Sequence, residues 1–192
     1  GAPFYCWHDR DISPEERAWL DRSADVSRVV YLRSMARAAD GGKRSLVEMK
    51  MVDNVYPLYG ALETTPPTPT SDLFAKRGDV WGAVSDTALL RRIGIEIGGR
   101  VKIGEATFEI RATIDREPDR VSGARALQLG PRFMASAAAV ADSALVQPGS
   151  QVWYFYRLRL NDRTGLSAWK TELDKTFPDA QWVVRDRGNA SP

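Results

Sequence analysis

The sequence predicts an α+β fold in which a split α/β layer, made by the two ends of the chain, carries an inserted small β-rich lobe. Three observations predict it. A helix and two strands open the chain, a strand, a helix and a strand close it, and the texture between them changes at Val55. Neither end alone makes a covered sheet. Residues 1–54 and 150–192 are therefore expected to pair in space, with 55–149 as the inserted lobe.

The first helix is announced by Ser13-Pro14-Glu15-Glu16, which sets an N-cap serine before proline at the first helical position and glutamate at the third. Trp19 and Leu20 supply its buried side. Val26 to Ala38 and Lys43 to Asp53 then read as two strands joined by Ala39-Asp40-Gly41-Gly42. In the second, Val47, Met49 and Met51 alternate with Glu48 and Lys50, so one face is buried and the other wet.

After Tyr56-Pro57-Leu58-Tyr59-Gly60 the stretch Thr64 to Ser71 holds Pro66, Pro67 and Pro69, which remove donors and fix φ, and it reads as a surface loop. Trp81 to Val84 is a short strand. Ser85 is placed to cap a helix bearing Leu89, Leu90 and Ile93, which Gly94 stops. Arg100 to Ile103 and Ala106 to Ile114 form a hairpin around Gly104-Glu105, with Phe108, Ile110, Ala112 and Ile114 on one face. Near the end, Val152, Tyr154, Tyr156, Leu158 and Leu160 make the apolar face of a strand. Leu166, Trp169, Leu173 and Phe177 follow at helical spacing, Pro178 ends that helix, and Gln181 to Arg185 is a last strand.

Composition narrows the function classes. The 192 residues are 43% hydrophobic and 27% charged, the balance of an ordinary folded domain. A formal charge of +2, with basic residues interleaved with acids as in Asp9-Arg10-Asp11 and Arg185-Asp186-Arg187, gives no nucleic-acid footprint. A single cysteine, Cys6, leaves no internal disulfide to form. Gly1-Ala2-Pro3-Phe4 does not read as a signal peptide. The most apolar stretch, Ala135 to Val146, is interrupted by Ser136, Asp142 and Ser143 and is too short to span a bilayer.

The sequence offers little for covalent chemistry. Cys6 and the only histidine, His8, would share a face on a strand, but no third group is indicated to orient them, so no catalytic residue is assigned. One histidine and one cysteine make no zinc site, and no cofactor motif is present. Gly41-Gly42-Lys43-Arg44-Ser45 is a hairpin turn and not a phosphate loop. Glu117 and Asp119, set among arginines in Arg116-Glu117-Pro118-Asp119-Arg120, read as a surface ion-pair cluster fixing a loop, in preference to a glycosidase pair. Trp153, Tyr154, Phe155 and Tyr156 put aromatic rings on both faces of one strand. One face packs on the core, and the other is covered by a second element, a partner or a ligand. Tyr56, Tyr59, Trp153 and Phe155 are accordingly the candidate contacts to a substrate or partner.

Several stretches carry a family resemblance in their order and spacing. Leu46-Val47-Glu48-Met49-Lys50-Met51-Val52-Asp53 followed by Tyr56-Pro57-Leu58-Tyr59-Gly60 resembles the start of the extracytoplasmic region of MacB/FtsX-type ABC transporter permeases. Trp81-Gly82-Ala83-Val84-Ser85, Arg92 to Gly98, Glu117-Pro118-Asp119-Arg120, Leu129-Gly130-Pro131-Arg132 and Leu145 to Ser150 agree with it. The branch most resembled is the predicted permease associated with a lysophospholipase.

The resemblance implies a porter-like split layer on a subunit with four membrane helices in the bacterial inner membrane, this domain facing the periplasm. It implies a second permease copy and a separate cytoplasmic ATP-binding subunit as partners, and possible association with a periplasmic lysophospholipase-type enzyme. It implies no cofactor and no enzymatic activity. Asn189-Ala190-Ser191-Pro192 reads as the approach to a membrane helix. The expected function is to transmit ATP-driven motion while contacting a hydrophobic or lipid-like substrate or a periplasmic partner. The alternatives are a stand-alone periplasmic hydrolase and an enzyme-recruiting interaction module.

Overall fold

A reciprocal capping box starts the first helix, α1 (Pro14–Ser23). The Ser13 hydroxyl accepts from the Glu16 N–H at 3.2 Å, and the Glu16 carboxylate accepts from the Ser13 N–H at 2.6 Å. Arg10 adds a two-pronged pair to the same carboxylate, each bond 2.9 Å, which is how Glu16 tolerates burial.

The computed structural model describes residues 4–8, 10–119, 130–161, 165–180 and 182–185. Besides α1 these form strands β1 (Phe4–His8), β2 (Ala24–Ala38), β3 (Arg44–Val52), β4 (Glu63–Thr65), β5 (Lys76–Arg77), β6 (Val80–Ser85), β7 (Arg100–Ile103), β8 (Ala106–Arg116), β9 (Arg132–Ser136), β10 (Val152–Leu160) and β11 (Val183–Arg185). The other helices are α2 (Thr70–Phe74), α3 (Thr87–Ile93), α4 (Ala139–Ser143) and α5 (Leu166–Thr176). The stretch Asn189–Pro192 lies outside the described residues.

Strands from the two ends of the chain pair directly. β10 runs antiparallel to β2 from Val152 opposite Leu32 to Leu160 opposite Ala24. α1 and α5 cover this end of the sheet: Leu20, Trp169 and Leu173 pack on Val26, Tyr156 and Leu158, and the Trp19 and Trp169 rings approach to 5.4 Å. The Trp169 indole N–H donates to the Ser23 hydroxyl at 3.0 Å, so its one polar atom is satisfied in the core.

The middle of the chain continues the same sheet. β3 pairs antiparallel with β2 and parallel with β9; β9 pairs with β6, β6 with β8, β8 with β7, and β7 returns to the far end of β2. These six strands close a ring. Val47, Met49, Met51, Val101, Ile103, Phe108, Ile110 and Phe133 fill its interior, and Leu89, Leu90 and Ile93 of α3 pack on the same core. The ring draws β2 and β3 from before residue 55 and its other four strands from 55–149.

Several elements and one helix cap differ from the sequence expectation. Residues 4–8 form β1, hydrogen-bonded between β10 and β11, where a chain end invites an expectation of fraying. β9 and α4 occupy the stretch that reads only as short and apolar; a strand of five residues flanked by small residues has too few alternations to declare a period. The proline-rich stretch does admit an edge strand, β4, because Glu63–Thr65 precedes the prolines and pairs on one side only. The cap of α3 is Asp86 and not Ser85, with no side-chain bond to the helix. The Asp86 carboxylate instead accepts from the Arg132 N–H at 2.9 Å.

Candidate functional site

On β3 the odd-numbered residues enter the ring and the even-numbered ones point outward. Lys50 points outward and is nevertheless fully buried. Its Nζ donates to Glu117 Oε1 at 2.6 Å, to the Tyr56 hydroxyl at 3.2 Å and to the Asp119 carboxylate. The Tyr56 ring centroid stands 4.6 Å from the same ammonium. Tyr56 donates in turn to Asp119 Oδ1 at 3.0 Å.

Two arginines complete the cluster. Arg132 Nε reaches Glu117 Oε2 at 3.3 Å, and Arg157 Nε lies 2.8 Å from Asp119 Oδ2. Glu48 extends it outward, 3.7 Å from Arg132 and 3.9 Å from Arg33. Every buried charge here has an opposite neighbour, which is the condition under which burial is tolerated.

The cluster holds Lys50, Asp119 and Tyr56 in their ordinary charge states. Burial works against the Lys50 ammonium, but Tyr31, Asp119 and Glu117 around it outweigh that and push its pKa up. Burial would likewise raise the Asp119 carboxyl, yet Lys50 and Arg157 hold it below its usual range. Burial and then the neighbouring carboxylates Asp119 and Glu117 push the Tyr56 hydroxyl far upward. A protonated lysine, an ionised aspartate and a neutral tyrosine, all mutually bonded, leave neither a free base nor an activated nucleophile. The arrangement is a lock. Glu117, expected at the surface, is instead buried, and Asp119 is half-buried with its carboxylate turned inward, because Lys50, Arg132 and Arg157 arrive from three strands.

The stretches that carry the family resemblance converge on this lock. Leu46–Asp53 supplies Lys50 and Glu48, Tyr56–Gly60 supplies Tyr56, and the residues around Pro118 supply the carboxylates. Gly60 has φ of 70°, and a Cβ there would stand 2.8 Å from Pro118 Cβ, so the second and third stretches touch where a side chain has no room. Gly130 is pressed against β3 in the same way: a Cβ would meet the Leu46 carbonyl oxygen at 2.5 Å.

The expected contact residues are distributed over one face. Trp153 and Phe155 are half-buried on β10; Phe155 lies edge-on to Tyr31 at 5.1 Å, and the Arg33 guanidinium stands 5.8 Å from the Trp153 ring. Tyr59 is half-buried farther along the same strand, its hydroxyl donating to the Leu158 carbonyl at 3.4 Å and its ring 5.9 Å from the Arg159 guanidinium. Tyr56 is buried in the lock. Cys6 and His8 lie on β1, opposite Tyr156 and Tyr154 of β10.

No protein-family model matches the chain. It is 33% identical over 180 residues to the uncharacterized ABC transporter permease YbbP of Escherichia coli (strain K12), an alignment covering 90% of this chain and 21% of that protein. The periplasmic region of MacB from Actinobacillus actinomycetemcomitans superposes with a TM-score of 0.63 at 9% identity, covering 96% of this chain and 88% of that one. The chain is a periplasmic domain of the MacB/FtsX-like ABC transporter permeases. The extracellular domain of the noncanonic ABC-type transporter YknZ from Gram-positive bacteria shares the permease-domain fold, with a TM-score of 0.62 at 9% identity over 96% of this chain and all of that one. A stretch of 75 residues is 33% identical to a xylose isomerase of Rhizobium etli (strain CIAT 652), covering 39% of this chain and 16% of that protein. The permease domain thus spans about a fifth of the length of the ABC transporter permease it matches, 21%, and about a sixth of the xylose isomerase, 16%. Among its described residues no helix is long and apolar enough to cross a membrane.

Proposed function

We propose that this domain is a stiff, catalytically inert body on an inner-membrane permease, facing the periplasm and carried by ATP-driven movement of the membrane helices. The whole permease would pair with a second copy and with a cytoplasmic ATP-binding subunit. The observation that carries the reading is the buried lock, which ties β3, β9 and β10 to the segment after β8 through Lys50, Arg132, Arg157, Glu117 and Asp119. A body cross-braced in this way moves as a unit when displaced at one end, as hinge and shear transitions require. The split layer, 1–54 with 150–192, and the lobe 55–149 would then act together. Trp153, Phe155 and Tyr59 form the surface that meets a hydrophobic or lipid-like substrate or a periplasmic partner, such as a lysophospholipase-type enzyme. Tyr56 would serve them from beneath, through the lock.

Spin labels in the full-length permease test this directly. With Cys6 replaced, single cysteines at the exposed Glu96 and Glu172 would be compared with and without trapped nucleotide. Distances between the two copies should change while the Glu96–Glu172 distance within one copy stays fixed. An unchanged inter-copy distance, or a permease that leaves the membrane fraction, would refute the reading.

A further inference from the structure

We infer that the far end of the β2–β3 seam docks an acidic segment of a protein partner through Arg37, Arg44 and Lys102. In register, Arg37 lies opposite Arg44 on one side and Lys102 on the other, so three cations stand abreast on adjacent strands. They point away from the ring interior, which Ala36, Val101 and Ile103 fill. Arg37 and Arg44 are exposed and Lys102 is half-buried. None of the three has an ion pair or side-chain hydrogen bond to any described residue. Like charges directly opposed on neighbouring strands repel, and an anionic occupant removes that repulsion.

The row lines a shallow cleft of about 290 Å³ together with Met35, Gly104 and Glu105. Met35, 45% exposed, gives it an apolar wall, and Glu105 is the one carboxylate in the lining. Three strands abreast span about 10 Å at the usual strand spacing. That width suits successive carboxylates of a peptide better than one phosphate group. An anionic bilayer is the other occupant such a row could attract. Its position argues against one. Phe4 lies opposite Leu158, Leu158 opposite Val26, and Tyr5 opposite Arg185, so both ends of the chain approach the Val26 end of β2. Arg37 is eleven residues farther along that strand, about 36 Å at the usual rise per residue. This step rests on the proposed membrane anchoring: if the membrane lies at the chain ends, the row faces away from it.

The test measures anisotropy of fluorescein-labelled hexaglutamate titrated with this chain, against hexaglutamine, inorganic phosphate and phosphatidylglycerol vesicles. Hexaglutamate should bind saturably and weaken as salt is raised. The Arg37→Gln/Arg44→Gln/Lys102→Gln variant should lose affinity by about tenfold, the sum expected of exposed ion pairs, while its thermal midpoint stays equal or rises. The single Arg44→Gln variant, at the exposed start of β3, should lose about threefold and guards against a triple variant that misfolds. Equal binding of hexaglutamine, or undiminished binding by either variant, overturns the inference. So does row-dependent binding of the vesicles or of phosphate with none of hexaglutamate. A failed peptide assay leaves the inter-copy distance measurement to judge the permease reading on its own, and the reverse holds equally.

Discussion

One pair of strands carries two solutions to the same problem. Along the outward face of the β2–β3 seam the cross-strand pairs run Tyr31–Lys50, Arg33–Glu48, Met35–Leu46 and Arg37–Arg44. At one end a cation is fully buried and surrounded by two carboxylates, a tyrosine hydroxyl and an aromatic face. At the other, cations are set side by side in water with no neutralising partner among the described residues. The difference follows from what lies above each end. Where the Tyr56 and Pro118 segments cover the sheet, water is excluded and charge must be matched. Where no described residue covers it, solvent screens the repulsion and unmatched charge costs little. Matched charge thus marks where this molecule is closed upon itself, and unmatched charge marks where it remains open to something else.

Breaking the buried end should produce the largest effect. Lys50→Ala leaves Glu117 and Asp119 without their shared cation and should lower the unfolding free energy by about 3–5 kcal/mol in urea titration. The combined Lys50→Met/Glu117→Gln variant should recover part of that loss, since it removes one charge of each sign and leaves Asp119 with Arg157 and Arg132 with Glu48. Recovery absent, the lock would owe its stability to packing and not to charge matching.

Gly60→Ala should cost about 1–3 kcal/mol by the same measurement, from the left-handed φ and from contact with Pro118. A neutral result would mean that the Tyr56 and Pro118 segments can part without opening the lock. Acid comes next. The folded Asp119 pKa lies below the ordinary carboxylate value of about 3.9. Its contribution is therefore present at neutral pH and is lost as pH falls below that value toward the folded pKa. Asp11, held low beside Arg28 and Tyr156 although burial opposes it, titrates in the same window. Stability should be flat from neutral pH to about pH 5 and then decline, and Asp119→Asn should shallow the decline without abolishing it.

The open end should give the smallest change and the opposite sign. Arg37→Gln should leave stability unchanged or raise it by a few tenths of a kcal/mol, because it removes two like-charge neighbours. A clear loss of stability there would show that the row has a partner within the fold.

Much of the architecture could be read from residue order alone. The Ser13 capping box, the hairpin after Ala38 and the unbroken alternation through β8 are local signals, each complete within about a dozen residues. The pairing of chain ends followed from needing to cover an apolar strand face. The parallel meeting of β3 with β9 did not, because register across such a separation leaves no local trace. The lock was missed for the same reason. Lys50 between Met49 and Met51 reads as the wet position of an alternating strand, and Glu117 and Asp119 beside Arg116 and Arg120 read as already paired locally. The available clue was that Lys50, Glu117, Asp119 and Arg132 each sit inside a stretch carrying the family resemblance. The basic row was missed too, since charge interleaved along the chain says nothing of charge aligned across strands.

The parallel pairing of β3 has a consequence during synthesis. Lys50 precedes Glu117 by 67 residues and β9 begins at Arg132, so the β2–β3 hairpin is complete well before its second neighbour has been made. Until then β3 is an unpaired edge of apolar residues, the kind of template that recruits other chains. A lysine in the middle of that edge discourages such recruitment, as natural gatekeepers do. The residue that later sits dry at the centre of the folded domain would first have kept the nascent hairpin from aggregating.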